Sequence, residues 1–332
     1  MTRKLQINEF LHDCGWSSAR RAPLAGDASN RRYERLTLPS GNRAVLMDAP
    51  PGKNDSVDPF ANIAQHLTNA GFSAPRIYAK SAELGLLLLE DLGDALFARL
   101  AIDNPDLELS LYQAATDVLI DLRKAPAPTG LVLFDADRLT GMIDLFFDWY
   151  MRGCGLESDE YKTSVSSSIH EILRRVEPPN PVLILRDYHA ENLIWLPERH
   201  GVARVGLLDF QDAVIGHPAY DLVSLLQDAR RDVSADLEQK LMAYYLDATE
   251  LDRAHFETAY FALGLQRNMR ILGIFARLSR LQSKPHYIDY IPRVWSYLTR
   301  TVQHPSLTPV RDFFLSELPA PTPALLQKLK DA

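Results

Sequence analysis

"LRDYHAENLIWL" (185–196) sets three polar groups, Asp187, His189 and Asn192, between the apolar run "PVLIL" (181–185) and the apolar run "LIWL" (193–196). A further carboxylate, Asp209, closes the apolar part of "RVGLLDF" (204–210). Residues 182–210 therefore read as two short β-like runs, "LIWL" and "RVGLLDF", around a polar turn that contains "PERHG". Such a hairpin puts Asn192 and Asp209 at its ends, close in space though distant in sequence. Carboxylates at the ends of apolar strands are costly unless a cation compensates them.

The pattern suits one chemistry in particular. Phosphoryl transfer from a nucleotide needs a base to orient the acceptor hydroxyl and hard oxygen ligands to hold Mg²⁺ against the phosphates. Asp187 fits the base, and Asn192 and Asp209 fit the metal ligands, with waters completing the ion's coordination. An isolated Asp-x4-Asn arises by chance in many loops. The framing apolar runs, the downstream Leu-Leu-Asp-Phe and the later Asp221 in "HPAYDL" give this one its weight.

Outward from the motif, the chain changes character. Upstream, "RRYERLTL" (31–38) and "RAVLMDA" (43–49) read as strands around the turn "PSGN", and "LGLLLLEDL" (84–92) as a short apolar strand. "DPFANIAQHLTNAG" (58–71) reads as a helix with Asp58 as cap, Pro59 in the first turn and Gly71 at C′. Phe60, Ile63, Ala64 and Leu67 form its apolar face. After Asp94 the pattern turns helical, with helices expected over about 107–124, 136–152, 160–176, 217–230, 234–248, 253–281 and 287–302. The expectation is an α+β, two-lobed fold. A small lobe with a β-sheet spans 1–92, a hinge lies near 88–94, and a larger, mainly helical lobe spans 93–332.

Bulk properties narrow the function. The 332 residues are 46% hydrophobic and 24% charged, ordinary for a globular protein with ample core material. A net charge of −7 disfavours nucleic acid, whose backbone needs a basic footprint. No stretch approaches the roughly 20 apolar residues that span a bilayer, so no membrane partner is expected. The start "MTRKLQINEF" lacks a leader's apolar run, and two cysteines, Cys14 and Cys154, are too few for a disulfide framework, so a cytoplasmic setting is expected. Neither cysteine sits in a metal-binding pattern.

"LRDYHAENL…LLDFQDA…GHPAYDL" resembles the aminoglycoside phosphotransferase and choline kinase family, within the protein-kinase-like fold, and the likeness runs from about residue 22 to about 282. "GDASNRRYERL", "LMDAPP", "LLLEDLGD" and "RNMRILGIFARL" are similar to stretches of its bacterial branch of anomeric sugar kinases acting on N-acetylmuramate and N-acetylglucosamine. The resemblance implies ATP and Mg²⁺ as cofactors and a small sugar or amino-alcohol as substrate.

It also implies roles for residues outside the motif. "LAGDASNRRY" lies where the fold places its phosphate-covering loop, with Gly26, Ala28 and Ser29 offering backbone N–H groups. Arg31 and Arg32 add charge there, and in a strand adjacent side chains point to opposite faces, so at most one of them faces the nucleotide. The usual strand lysine is replaced by Met47, and its glutamate partner is missing too, since residues 51–75 contain no Glu. Lys53 or Arg32 is then expected to supply the cation. Backbone groups near Glu90 and Leu92 would meet the adenine edge. Arg186 and His189 would support the catalytic loop, and Asp221 would brace its backbone. Asp94 would face the acceptor or cap the next helix. Arg267 and Arg270, three apart on one helical face, could bind a sugar or its lactyl carboxylate. The aromatic run "FFDWY" (146–150) reads as core. The chain is thus expected to be a small-molecule kinase for an amino sugar. An aminoglycoside or amino-alcohol acceptor, or an ATP-binding regulatory module without turnover, are the rivals.

Overall fold

The computed structural model describes residues 2–24, 31–52, 56–157 and 159–331. They divide into two compact units, Met1–Val118 with Glu191–Ala213, and Leu119–Ala190 with Val214–Ala332.

The first unit is built on an antiparallel five-stranded sheet of β1 (Arg20–Leu24), β2 (Arg32–Thr37), β3 (Arg43–Asp48), β4 (Ile77–Ser81) and β5 (Leu86–Glu90), in the order β1-β2-β3-β5-β4. The register pairs Tyr33 with Met47, Met47 with Leu87 and Leu36 with Ala44. Alternation then puts Tyr33, Val45 and Met47 on one face, and Leu36, Ala44, Leu46 and Leu88 on the other. Helix α1 (Arg3–Asp13) covers the second face. Its Ile7, Phe10 and Leu11, at i, i+3 and i+4, bury themselves against Leu36, Ala44, Leu46, Leu86 and Leu88. Each such side chain is worth roughly 1.5–3 kcal/mol of transfer free energy.

Helix α2 (Asp58–Asn69) buries Phe60, Ile63, Ala64 and Leu67 as expected, and Gly71 follows its end at φ +88°. The cap differs from the expectation. Val57 is the N-cap residue and Asp58 the first helical one, and the Asp58 carboxylate is taken by Lys80 at 2.5 Å and by the Ser56 hydroxyl at 3.0 Å. The unit continues through α3 (Phe97–Asp103) into α4 (Glu108–Leu122).

The second unit is helical, with α5 (Ala136–Met142), α6 (Asp159–Arg175), α7 (Ala219–Leu226), α8 (Ala235–Thr249), α9 (Arg253–Gln282) and α10 (Ile291–Thr301). Its only paired strands among the described residues are β6 (Val182–Ile184) and β9 (Val214–Gly216); β7 (Leu193–Trp195) and β8 (Val205–Leu207) between them belong to the first unit. The helix expected over 136–152 breaks after Met142, and Phe146–Met151 winds as a π-helix. The long α9 presses on that break. A Cβ added to Gly273 would lie 2.3 Å from the Leu145 carbonyl oxygen and 2.6 Å from the Phe146 nitrogen. Phe146, Phe147 and Tyr150 are fully buried there, as the core reading of "FFDWY" expects. Among the described residues no helix is long and apolar enough to cross a membrane.

Candidate active site

The hairpin of the first unit is formed by β7 (Leu193–Trp195) and β8 (Val205–Leu207), with Leu193 opposite Leu207. One residue beyond that pair, the Leu208 N–H donates to the Asn192 carbonyl over 3.0 Å. Asn192 and Asp209 thus flank the same end of one ladder. Asp209 sits at φ +57°, left-handed backbone for a side chain, and its Oδ1 accepts from Gln211 Nε2 at 2.7 Å.

The supports of this hairpin within its unit are mostly uncharged. Leu207 N–H donates to Ser73 C=O at 2.9 Å, and Trp195 N–H to Ala95 C=O at 2.8 Å. Ile194 and Leu196 bury against Leu92, and Phe210 stacks on Phe60 with ring centroids 4.9 Å apart. Charged ties come from Arg199, whose guanidinium donates to Glu90 at 2.6 Å and to Ser73 Oγ at 2.7 Å, and from Arg204, whose guanidinium lies 5.2 Å from the Trp195 ring centroid.

Asp187 belongs to the second unit. Its N–H donates to the Leu185 carbonyl over 2.9 Å, and Arg186 between them has φ +70°. This is a γ-turn of the rarer, strained hand. A non-glycine residue held in such backbone costs on the order of 1–3 kcal/mol, so its surroundings must impose it. They do. Asp221, 2% exposed on α7, accepts the N–H groups of Leu185 at 2.5 Å and Arg186 at 2.9 Å. Ser224, one turn on, donates to the Arg186 carbonyl at 3.0 Å. Burial pushes the Asp221 carboxyl up to about 7, against the two N–H bonds that favour its anion.

Past Asp187, the buried Asp228 accepts the Ala190 N–H at 3.4 Å and the Arg230 N–H at 2.8 Å. His189 is 3% exposed, and its Nε2 lies 3.2 Å from Arg230 Nη1. Arginine only donates, so that ring nitrogen is the acceptor and the proton sits on Nδ1. Burial, then the Arg230 and Arg267 charges, hold the imidazole pKa well below its usual value, so the ring is neutral. The Arg186 guanidinium lies over the Phe134 ring, 5.4 Å from its centroid.

Nothing in the motif points to Ser224, Asp228 or Arg230. The signal for the first is in the helix, where 221 and 224 are polar positions one turn apart in the apolar run "AYDLVSLL"; Asp228 follows just past the helix end.

The remaining candidates fall as follows. Gly26, Ala28, Ser29 and Lys53 lie outside the described residues. Arg32 is exposed and stands opposite Asp48 in the ladder, on the sheet face opposite Tyr33 and Met47, while Arg3 holds the Asp48 carboxylate. Arg31 is half-buried on the Tyr33 side. Burial raises the Tyr33 phenol pKa; the Arg31 charge opposes this and the Asp209 charge adds to it. Glu90 commits its side chain to Arg199 and the Arg76 N–H, and its own N–H to the Arg76 carbonyl. Leu92 is 8% exposed in the hairpin's apolar cluster. Asp94 does not cap α3, whose N-cap is Leu96; it chelates Arg35 at 2.8 and 2.9 Å. Arg35 also holds Asp91 at 2.7 Å. Arg267 is 6% exposed and donates to Ser224 Oγ at 2.7 Å, while Arg270 is half-buried.

Residues 20–256 match the phosphotransferase enzyme family. The chain belongs to that family. This phosphotransferase is 40% identical, across 94% of its length and 96% of the relative's, to the N-acetylmuramate/N-acetylglucosamine kinase of Caulobacter vibrioides. A choline/ethanolamine kinase family protein from Mesorhizobium loti superposes with a TM-score of 0.64 at 15% identity, covering all of both chains. An aminoglycoside phosphotransferase solved with streptomycin and ATP superposes with a TM-score of 0.58 at 15% identity, over 92% of this chain and 98% of that one. The phosphotransferase therefore has the α+β, two-lobed, protein-kinase-like fold.

Its hairpin end fits Mg²⁺. Among the described residues no group of three or more His, Cys, Asp or Glu gathers as a closed metal cage. An amide and a carboxylate oxygen at one ladder end instead match the few protein ligands that Mg²⁺ takes beside phosphates and waters.

Proposed function

We propose that this phosphotransferase transfers the γ-phosphoryl group of ATP to the anomeric hydroxyl of N-acetylmuramate or N-acetylglucosamine, giving the sugar 1-phosphate in the recycling of cell-wall sugars. Asp187 accepts the hydroxyl proton, the anomeric oxygen forms the new bond to phosphorus, and the bond to the β-phosphate oxygen breaks to release ADP. Asn192 and Asp209 would hold Mg²⁺, which would supply positive charge against the transferring group.

Residues 1–92 form the nucleotide lobe, with backbone near Glu90 and Leu92 at the adenine edge and Gly26, Ala28 and Ser29 over the phosphates. The helical lobe, 93–332, brings the acceptor. Arg186, His189 and Asp221 keep the base loop in place. Arg31 supplies the cation that Met47 does not: its charge bears on Tyr33, which shares the face of Met47, whereas the pleat turns Arg32 to the opposite face. Arg270 is the arginine for a lactyl carboxylate.

One observation carries the reading: a 40% identical relative, matched nearly end to end, is named for this activity. The test is a panel of acceptors with labelled ATP and Mg²⁺. N-acetylmuramate or N-acetylglucosamine should become labelled at the anomeric position. Labelling of kanamycin or choline in their place would overturn the sugar assignment, and tight ATP binding with no transfer at all would favour a regulatory module.

A further inference from the structure

Arg267 is a guanidinium sealed inside a helical unit, 6% exposed, with Nη1 lacking a hydrogen-bond partner among the described residues. Burying such a charge is poor value for stability, since desolvation offsets much of what its partners return. Its contacts point elsewhere. Nη2 donates to Ser224 Oγ at 2.7 Å, and Ser224 donates to the carbonyl of Arg186 at 3.0 Å. A serine hydroxyl has one proton; given to Arg186, it leaves only lone pairs, and a donor-only guanidinium is the partner that holds the hydroxyl in that orientation. Arg186 is the strained residue of the turn before Asp187. Burial depresses the Arg267 pKa, and the carboxylates of Asp187 and Asp228 are among the charges that oppose this, so the cation also lies within the field of the base.

We propose that Arg267 is a positioning residue: acting through Ser224, it holds the turn at Arg186 and so aims the Asp187 carboxylate at the acceptor hydroxyl. The inference rests on Asp187 being the base, and it replaces a direct role for Arg267 in binding the acceptor.

The test compares wild-type protein with S224A, R267M and R267K in steady-state kinetics with ATP·Mg²⁺ and N-acetylmuramate, alongside urea unfolding. A misaimed base loses turnover and not binding, so S224A should lower kcat about 10-fold and R267M about 100-fold, with both KM values within about 3-fold of wild type. R267K, which keeps the charge with a shorter reach, should fall between wild type and R267M. If R267M does not unfold cooperatively, S224A decides, since it removes a single hydroxyl. A raised sugar KM at unchanged kcat would make Arg267 an acceptor ligand and overturn the proposal, as would wild-type kcat in both S224A and R267M. Wild-type protein inactive on these sugars faults the substrate assignment alone; the same ranking of variants is then expected on the acceptor it does use, or on Mg²⁺-dependent ATP hydrolysis.

Discussion

Around Asn192 and Asp209 the supports are strand pairs, an aromatic stack and a small apolar cluster. Around Asp187 they are buried charged and hydroxyl groups: Asp221, Ser224, Asp228 and Arg267. Both regions hold a residue in left-handed backbone, Asp209 in one and Arg186 in the other. The two means of support fail in different ways. Apolar packing yields in proportion to the atoms removed and is indifferent to salt and pH. A buried polar shell is indispensable once built, because removing one member strands its partners.

The hairpin side should show the largest single loss of stability. Phe210 is fully buried against Phe60, so F210A is expected to cost about 3–5 kcal/mol by urea unfolding. The loss should be the same at low and high salt. A smaller, salt-dependent loss would mean that Arg199 and Glu90 carry the hairpin. On the other side, D221A strands the buried Leu185 N–H, at about 1–3 kcal/mol, and leaves the part-buried Arg186 N–H to water. It should also abolish turnover, whereas F210A protein refolded at low temperature should retain part of its activity.

The pH dependence sharpens the contrast. Burial, then the neighbouring His255, pushes His217 down to about 3, and its Nδ1 accepts the Ala219 N–H at 3.0 Å. The unfolded chain takes up this proton first, so the histidine's contribution is complete above its ordinary pKa and is lost as the pH falls toward 3. Asp221, raised to about 7, has the opposite sign: its contribution is present in acid and is lost as the pH rises through 7. The difference between wild type and H217N isolates the histidine. The variant, whose amide oxygen can take the Ala219 N–H, should gain on wild type by about 3 kcal/mol between pH 7 and pH 4. Parallel curves would show that His217 titrates normally. The smallest effect belongs to R199A, whose partly exposed pair with Glu90 should be worth about 0.5–1 kcal/mol and fade with salt.

The same contrast explains what was legible from sequence. Asp187, Asn192 and Asp209 stand out because polar residues interrupt apolar runs, and the ladder puts the latter two at one end. The sheet was half legible. "RRYERLTL", "RAVLMD" and "LLLLE" read as strands, while β1, "RRAPL", is an edge with arginines and a proline, and β4, "IYAKS", is short and mixed. Helix α1 carries its i, i+3, i+4 stripe openly in Ile7, Phe10 and Leu11, inside a stretch otherwise too polar to draw notice. The π-helix at 146–151 was not legible; the backbone just before it packs on Gly273, on a helix far along the chain. Nor was the fate of Arg267 and Arg270. Three-residue spacing puts both on one face, but only packing decides that one is sealed against Ser224 and the other is half-exposed.

The most direct measurement is the turnover of D187N with ATP·Mg²⁺ and N-acetylmuramate, beside its KM for ATP. With Asp187 as the base, kcat should fall by about 10²–10⁴-fold while the KM for ATP stays near the wild-type value. A D187N protein that phosphorylates the sugar at the wild-type rate would contradict the account.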